Sequence, residues 1–318
     1  MSTVQRLQLA LGIVMASATL AFAAQSPAPS ASPRTAMPPL GIETFDTAQL
    51  ASAAVIKAAS TFDQEALLKI FGDGVDVVLT GELERDRQRA ADFATQAAEK
   101  NHVVVDAKSG TRAVLHVGNE DWPFPVPIVQ RGGKWIFDTE AGRRELKFRR
   151  IGENELDAIE VCRGYVEAQQ EYSLGPRAGS TTAQYAQRII STPGKQDGLA
   201  WQEADGTWAG PVGESIAHAI EEGYKPGAES YHGYVFKILK GQGPAARLGQ
   251  MDYVIKGVMI GGFALVAAPA EYGVTGFKTF MVSYDGVVYE RDFGIKTTAQ
   301  FRQMERFNPD KSWSEVPE

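Results

Sequence analysis

The sequence has a single cysteine, Cys162, so no intramolecular disulfide can form and burial alone must hold the fold. It also lacks an excess of positive charge. Its 32 Lys and Arg stand against 39 Asp and Glu, a formal net charge of −7. An acidic chain of this kind argues against nucleic acid or anionic lipid as a partner. The apolar run at 7–22 is broken by Gln8, Ser17 and Thr19. A stable membrane span needs about 20 apolar residues, so none is expected. Phosphate-cradling loops and dinucleotide fingerprints are missing. Gly213-Glu214-Ser215-Ile216-Ala217 lacks the final glycine of a nucleophile elbow, and no strand precedes it. Histidine is scarce, and His102, His116, His218 and His232 show no metal-ligand spacing among themselves. No catalytic residue, metal or cofactor is therefore expected.

What is present begins with a leader. A charged start at Arg6, the apolar run and Ala21-Phe22-Ala23 have the layout of a secretory signal peptide over 1–23. Its removal takes one cation and no acid, which makes the chain slightly more acidic. Residues 24–42 are rich in Pro, Ala and Ser and are expected to form a tether, since such a composition cannot build a core. The full chain is 44% hydrophobic and 22% charged, an ordinary globular composition. It is read as two α+β domains, 43–150 and 151–318.

The first domain opens with helical patterns. Thr47 is placed to cap a helix with Leu50, Ala54 and Ala58 inward. Asp63 is placed to cap another with Ala66, Leu67 and Ile70 inward, ending at Gly72. A third helix is expected near 81–100, with Glu84, Arg85, Asp86 and Arg87 on a solvated face. Strand-like runs follow at 103–105, 113–117 and 127–138, the last turning at Gly132-Gly133. Trp122-Pro123-Phe124-Pro125-Val126-Pro127 has too few amide donors for a central strand and is read as an aromatic-bearing loop. Helices followed by such a sheet resemble nuclear-transport-factor-like cones, in which a curved antiparallel sheet wraps helices.

The basic stretch 142–154 is read as a connector whose arginines pair with acids of both domains. A helix is expected over 156–172, with Cys162 on its apolar face as an inert thiol. Short helices are expected at 182–190 and 213–222. The chain then turns to β structure. Residues 263–268 are apolar on both faces, as in a covered central strand. Asp285-Gly286 reads as a two-residue hairpin pairing Val282 with Tyr289 and Phe280 with Arg291. That register leaves Thr279 and Met281 on the wetter face.

Two resemblances attach to these residues. Ala268-Pro269, Tyr272-Gly273-Val274-Thr275-Gly276, Phe280 and Asp285-Gly286-Val287-Val288, preceded by the helix through Ile159 and Tyr172, resemble the head of type IV pilin-like proteins. More extensively, the chain resembles the bacterial family catalogued as domain of unknown function 2950. The carrying residues include Leu115-His116-Val117-Gly118-Asn119-Glu120-Asp121-Trp122-Pro123-Phe124-Pro125 and Ser191-Thr192-Pro193-Gly194-Lys195-Gln196-Asp197-Gly198-Leu199. Tyr231-His232-Gly233-Tyr234 and Pro309-Asp310-Lys311-Ser312-Trp313 extend it to the C-terminus. That family implies export and supplies no activity.

The cluster Glu229-Ser230-Tyr231-His232-Gly233-Tyr234 places a carboxylate, a hydroxyl, phenols and an imidazole where a loop becomes a strand, a common location for sites. With Trp201 and Trp208 it is the expected binding surface for an envelope protein or polymer. Two other readings compete with this one. Trp122, Phe124 and Trp135 could line a small-molecule site in the first domain's cone. His232 with Glu229 or Ser230 could serve a hydrolase.

Overall fold

A computed structural model of the protein describes residues 41–175, 182–213 and 232–317. These fall into two compact units, one ending at Arg149 and the other starting at Arg150. The architecture is α+β.

In the first unit, Thr47 Oγ1 accepts a hydrogen bond from Leu50 N at 3.1 Å and starts α1 (Ala48–Ser60). Asp63 Oδ1 does the same for Ala66 N at 3.0 Å and starts α2 (Gln64–Phe71), which ends at Gly72. A 3-10 turn and α3 (Leu83–Glu99) follow. The inward stripe of α1 is Ala48, Ala51, Val55 and Ala58, while Leu50 stays outside. The stripe is turned from the expected one because α1 packs on α3, and a row of alanines lets two helices approach closely.

Asp86 was expected on a solvated face. It is buried, and it accepts hydrogen bonds from Thr80 N, Thr80 Oγ1 and Gly81 N at 2.7–3.0 Å. It therefore ties down the turn that leads into α3.

The sheet of this unit is antiparallel: β1 (Asn101–Val105), β2 (Arg112–Val117), β4 (Ile128–Arg131) and β5 (Lys134–Phe137), with the two-residue β3 (Trp122–Pro123) on β2. Arg131 pairs with Lys134 across Gly132-Gly133, and both glycines take positive φ, as the tightest hairpin requires. Phe71, Phe124 and Phe137 meet at 4.9–6.5 Å between ring centroids, and Phe93 joins Phe124 at 5.2 Å. Trp135 is also buried in this core.

The helix α4 (Thr139–Tyr172) is one continuous element, which replaces the expected connector and shorter helix. Asp138 Oδ1 accepts from Ala141 N at its start. Arg143 pairs with Glu140 and Asp76, and Arg149 pairs with Glu145 at 2.9 Å. The basic stretch thus stabilises its own helix through neighbouring turns. Gly142 does not break it. A Cβ there would come within 2.8 Å of Val126 Cγ2, so glycine serves close packing.

In the second unit, β6 (Arg188–Ile190) runs parallel to β7 (Gly198–Gln202), which pairs antiparallel with β8 (Trp208–Ala209). Strand β6 occupies part of the segment expected as a helix at 182–190. Its approach is held extended by Gln169. The Gln169 side-chain amide takes Ala186 N and donates to Ala186 O, both at 2.8 Å, as a neighbouring strand would.

The main sheet has the order β17-β16-β15-β14-β9, antiparallel throughout. Its strands are β9 (Tyr234–Leu239), β14 (Ala264–Pro269), β15 (Lys278–Ser283), β16 (Val288–Asp292) and β17 (Ser314–Glu315). Two short ladders intervene, β10 (Gly241–Gln242) with β11 (Met251–Asp252) and β12 (Val254–Ile255) with β13 (Val258–Met259). All of β14 is buried. With Phe263 it shares one core with Ala158, Ile159, Cys162, Tyr165 and Val166 of α4. The helix α5 (Thr297–Gln303) follows β16, and Trp313 meets Phe293 edge-on at 5.5 Å.

The Asp285-Gly286 hairpin has a different register from the one expected. Val282 pairs with Val288, Met281 with Tyr289 and Phe280 with Glu290. Only Gly286 takes positive φ, and its N–H bonds Ser283 O at 2.9 Å. The loop therefore has three residues and a bulge, which moves β16 by one position. Thr279 and Met281 are buried rather than wet.

Candidate functional site

A polar cluster around an expected residue lies where α4 meets the start of β9 and the segment between β14 and β15. Three side chains from α4 reach across. Asn154 Nδ2 donates to Thr275 O at 2.8 Å. Glu155 Oε1 accepts from Phe277 N at 2.8 Å and Lys278 N at 3.1 Å. Asp157 Oδ2 pairs with His232 Nδ1, each side chain 43% exposed. Tyr234 closes the floor by donating its hydroxyl to Lys278 O at 2.8 Å.

The backbone here is held in an uncommon state. His232 has φ +45 and Gly233 φ +77. Histidine visits this region more readily than most residues, yet it is still a minority conformation. At Gly233 a Cβ would lie 2.6 Å from Asn154 Nδ2 and 2.8 Å from Thr275 Cβ, so no other residue fits. The imidazole is thus aimed by a backbone that glycine alone permits and oriented by the Asp157 carboxylate.

Burial raises the Glu155 carboxyl above its ordinary range, against the pull of the Phe277 and Lys278 amides. Burial, together with the nearby Glu155 carboxylate, keeps the Tyr234 phenol protonated and a donor. Burial pushes the Cys162 thiol up to about 12, which makes it unreactive.

The expected site residues are distributed as follows. His232 and Tyr234 belong to this cluster. Glu229, Ser230 and Tyr231 lie outside the described residues, as does the expected helix bearing His218. Trp201 is a core residue of β7, its indole N–H donating to Glu203 Oε1 at 2.7 Å. Trp208 is half-buried on β8, opposite Gln202. In the first unit Phe124 and Trp135 are packed into the core, which gives their rings a structural use. Trp122 is 42% exposed beneath the Arg149 guanidinium, 5.0 Å from its ring.

Sequence reasoning missed Asn154, Glu155 and Asp157. They sit within one helical turn, but nothing local says that residues 75 to 123 positions later will meet them. It also missed His102 and His116, judged by spacing along the chain. The β1–β2 register sets them directly opposite each other. Among the described residues these two and Asp121 form the one group whose possible donor atoms lie near enough to share an ion, all within 4.8 Å of one another.

A family profile described as "Protein of unknown function (DUF2950)" matches residues 42–316. Neither the curated proteins nor the solved structures yielded a match. The pilin-head and transport-factor likenesses therefore rest on sequence alone.

Proposed function

Because the chain belongs to the DUF2950 family, whose description names no activity, we propose its role from its own residues. It is an exported, non-catalytic binding protein of the bacterial envelope. It recognises a protein or polymer through the surface around His232 and Asp157. The reading is carried by that exposed imidazole–carboxylate pair, fixed by positive-φ backbone and by the ties from Asn154 and Glu155. Ordered polar groups at a strand start suit recognition, because little freedom remains to be lost on binding. Among the described residues, the nearby groups able to attack a substrate are otherwise committed. Tyr234 is a protonated donor to Lys278 O, and Cys162 is buried and unreactive. The apolar run ending at Ala21-Phe22-Ala23 supports export.

Co-sedimentation of the purified protein with isolated cell-wall sacculi, and separately with envelope membranes, tests this. One fraction should retain the wild type. His232→Ala and Asp157→Asn should each reduce retention several-fold while melting as the wild type does. Retention by neither fraction, or equal retention of the variants, would sink the proposal.

A second reading is favoured by the same pair, since a carboxylate that orients an imidazole is also how a general base is built. Hydrolysis of activated esters that vanishes in both variants would shift the assignment to a hydrolase.

A further inference from the structure

The first unit carries a second polar cluster. His102 on β1 and His116 on β2 are paired residues of adjacent strands, their rings stacked at 5.2 Å and inclined by 22°. The turn after β2 brings Asp121 to the same place. Its backbone is anchored, because Gly118 N bonds Gln96 O and Lys100 O, and Asp121 N bonds Gly118 O. Asp121 itself has φ +61.

The hydrogen bonding selects which nitrogen faces outward. His116 Nδ1 lies 2.9 Å from Asp121 O. A carbonyl only accepts, so Nδ1 carries the hydrogen and Nε2 keeps its lone pair. An imidazole whose second N–H is held by a backbone carbonyl is the usual arrangement of a metal-binding histidine. His102 Nδ1 lies 3.6 Å from Asp121 Oδ1. Two ligand atoms on a tetrahedral zinc ion stand roughly 3.3 Å apart, so little movement of these partly exposed side chains would seat one.

We propose that His102, His116 and Asp121 bind a first-row divalent transition ion of the zinc class, leaving a fourth position for water or an external ligand. Two imidazoles and one carboxylate suit zinc, nickel or copper better than calcium or magnesium, which prefer all-oxygen sets. Lys100 serves as the present counter-ion, its Nζ 2.8 Å from Asp121 Oδ1. An incoming ion has to displace that ammonium.

Calorimetric titration of the chelator-stripped protein with Zn2+ tests the site. One equivalent should bind, with Mg2+ in excess failing to compete. His102→Ala and His116→Ala should each weaken binding by at least about tenfold. Lys100→Met should tighten it, because the competing cation is gone. His232→Ala should leave it unchanged. His102→Gln and His116→Gln carry the test if an alanine variant melts early. The proposal is overturned if Zn2+ shows no saturable binding, if the histidine variants bind as the wild type does, or if binding follows His232 instead.

Discussion

The two units bury polar groups in opposite ways. The first has an aromatic and aliphatic core, Phe71, Phe124, Phe137, Leu115 and Ile128, with Asp86 buried at the start of α3. The second unit threads amides and phenols through its interior. Gln169 serves Ala186 and the Tyr165 hydroxyl, Gln242 takes the Tyr253 hydroxyl and donates to Arg247 O and Gly249 O, and Tyr172 donates to Gln196 O. Outside its main sheet the strands β6, β8 and β10–β13 are two or three residues long, so side chains supply the partners that a longer ladder would otherwise provide. An apolar core tolerates swaps of similar volume, whereas a buried polar network tolerates few.

The largest effect expected is in the first unit. Phe71 is fully buried, and Phe71→Ala should cost about 3–5 kcal/mol through lost transfer energy and the cavity left behind. Denaturant unfolding monitored through the buried Trp135 would read it. Phe71→Leu, which keeps most of the volume, should cost far less. If the two cost the same, the first core is as strict as the second and the contrast fails.

Gln169→Leu comes next, at about 2–4 kcal/mol, because the volume is kept but the N–H and C=O of Ala186 lose their partner in a dry interior. Amide exchange at Ala186 should accelerate most. A cost below that of Phe71→Leu would mean the amide adds little beyond shape.

Asp86→Ala follows, at about 2–3 kcal/mol, since a carboxylate accepting three amide and hydroxyl donors is removed. Burial opposes its charge, but the Thr80 and Gly81 donors outweigh burial and lower its pKa. A lowered carboxyl contributes stability above the ordinary carboxylate range, and that contribution is lost as pH falls through the folded value. The melting difference between wild type and Asp86→Asn should therefore shrink on acidification. A difference independent of pH would show that charge is irrelevant there.

Much of this organisation was legible because it is local. The caps Thr47 and Asp63 and the all-apolar strand β14 need only neighbours in sequence to be recognised. Gly132-Gly133 has the two positive φ values a tight turn demands, whereas Asp285 does not follow its glycine there, so the same motif gave another register. The segment before β6 read as helix because the Gln169 amide that holds it extended sits 17 positions earlier. The candidate site was legible only in part. His232 is marked by its own neighbourhood, but Asp157 and Glu155 are joined to it by topology.

The smallest effect expected sharpens the comparison most. Glu155 is the second unit's counterpart of Asp86, a carboxylate bonded to two backbone amides, Phe277 N and Lys278 N. Here burial dominates, and its pKa is raised. A raised carboxyl holds its proton more tightly in the folded state. Its contribution to stability is therefore greatest below the ordinary carboxylate range and declines as pH rises through the folded value. Glu155→Gln keeps an oxygen for both amides and removes the charge, so its cost at neutral pH should be about 1 kcal/mol or less, or reversed in sign. Melting curves across pH should show the variant gaining on the wild type as pH rises, the reverse of Asp86→Asn, which falls further behind over its own window. If Glu155→Gln instead lost ground with rising pH, the Lys278 ammonium would outweigh burial, and the two carboxylates would be doing the same work in both units.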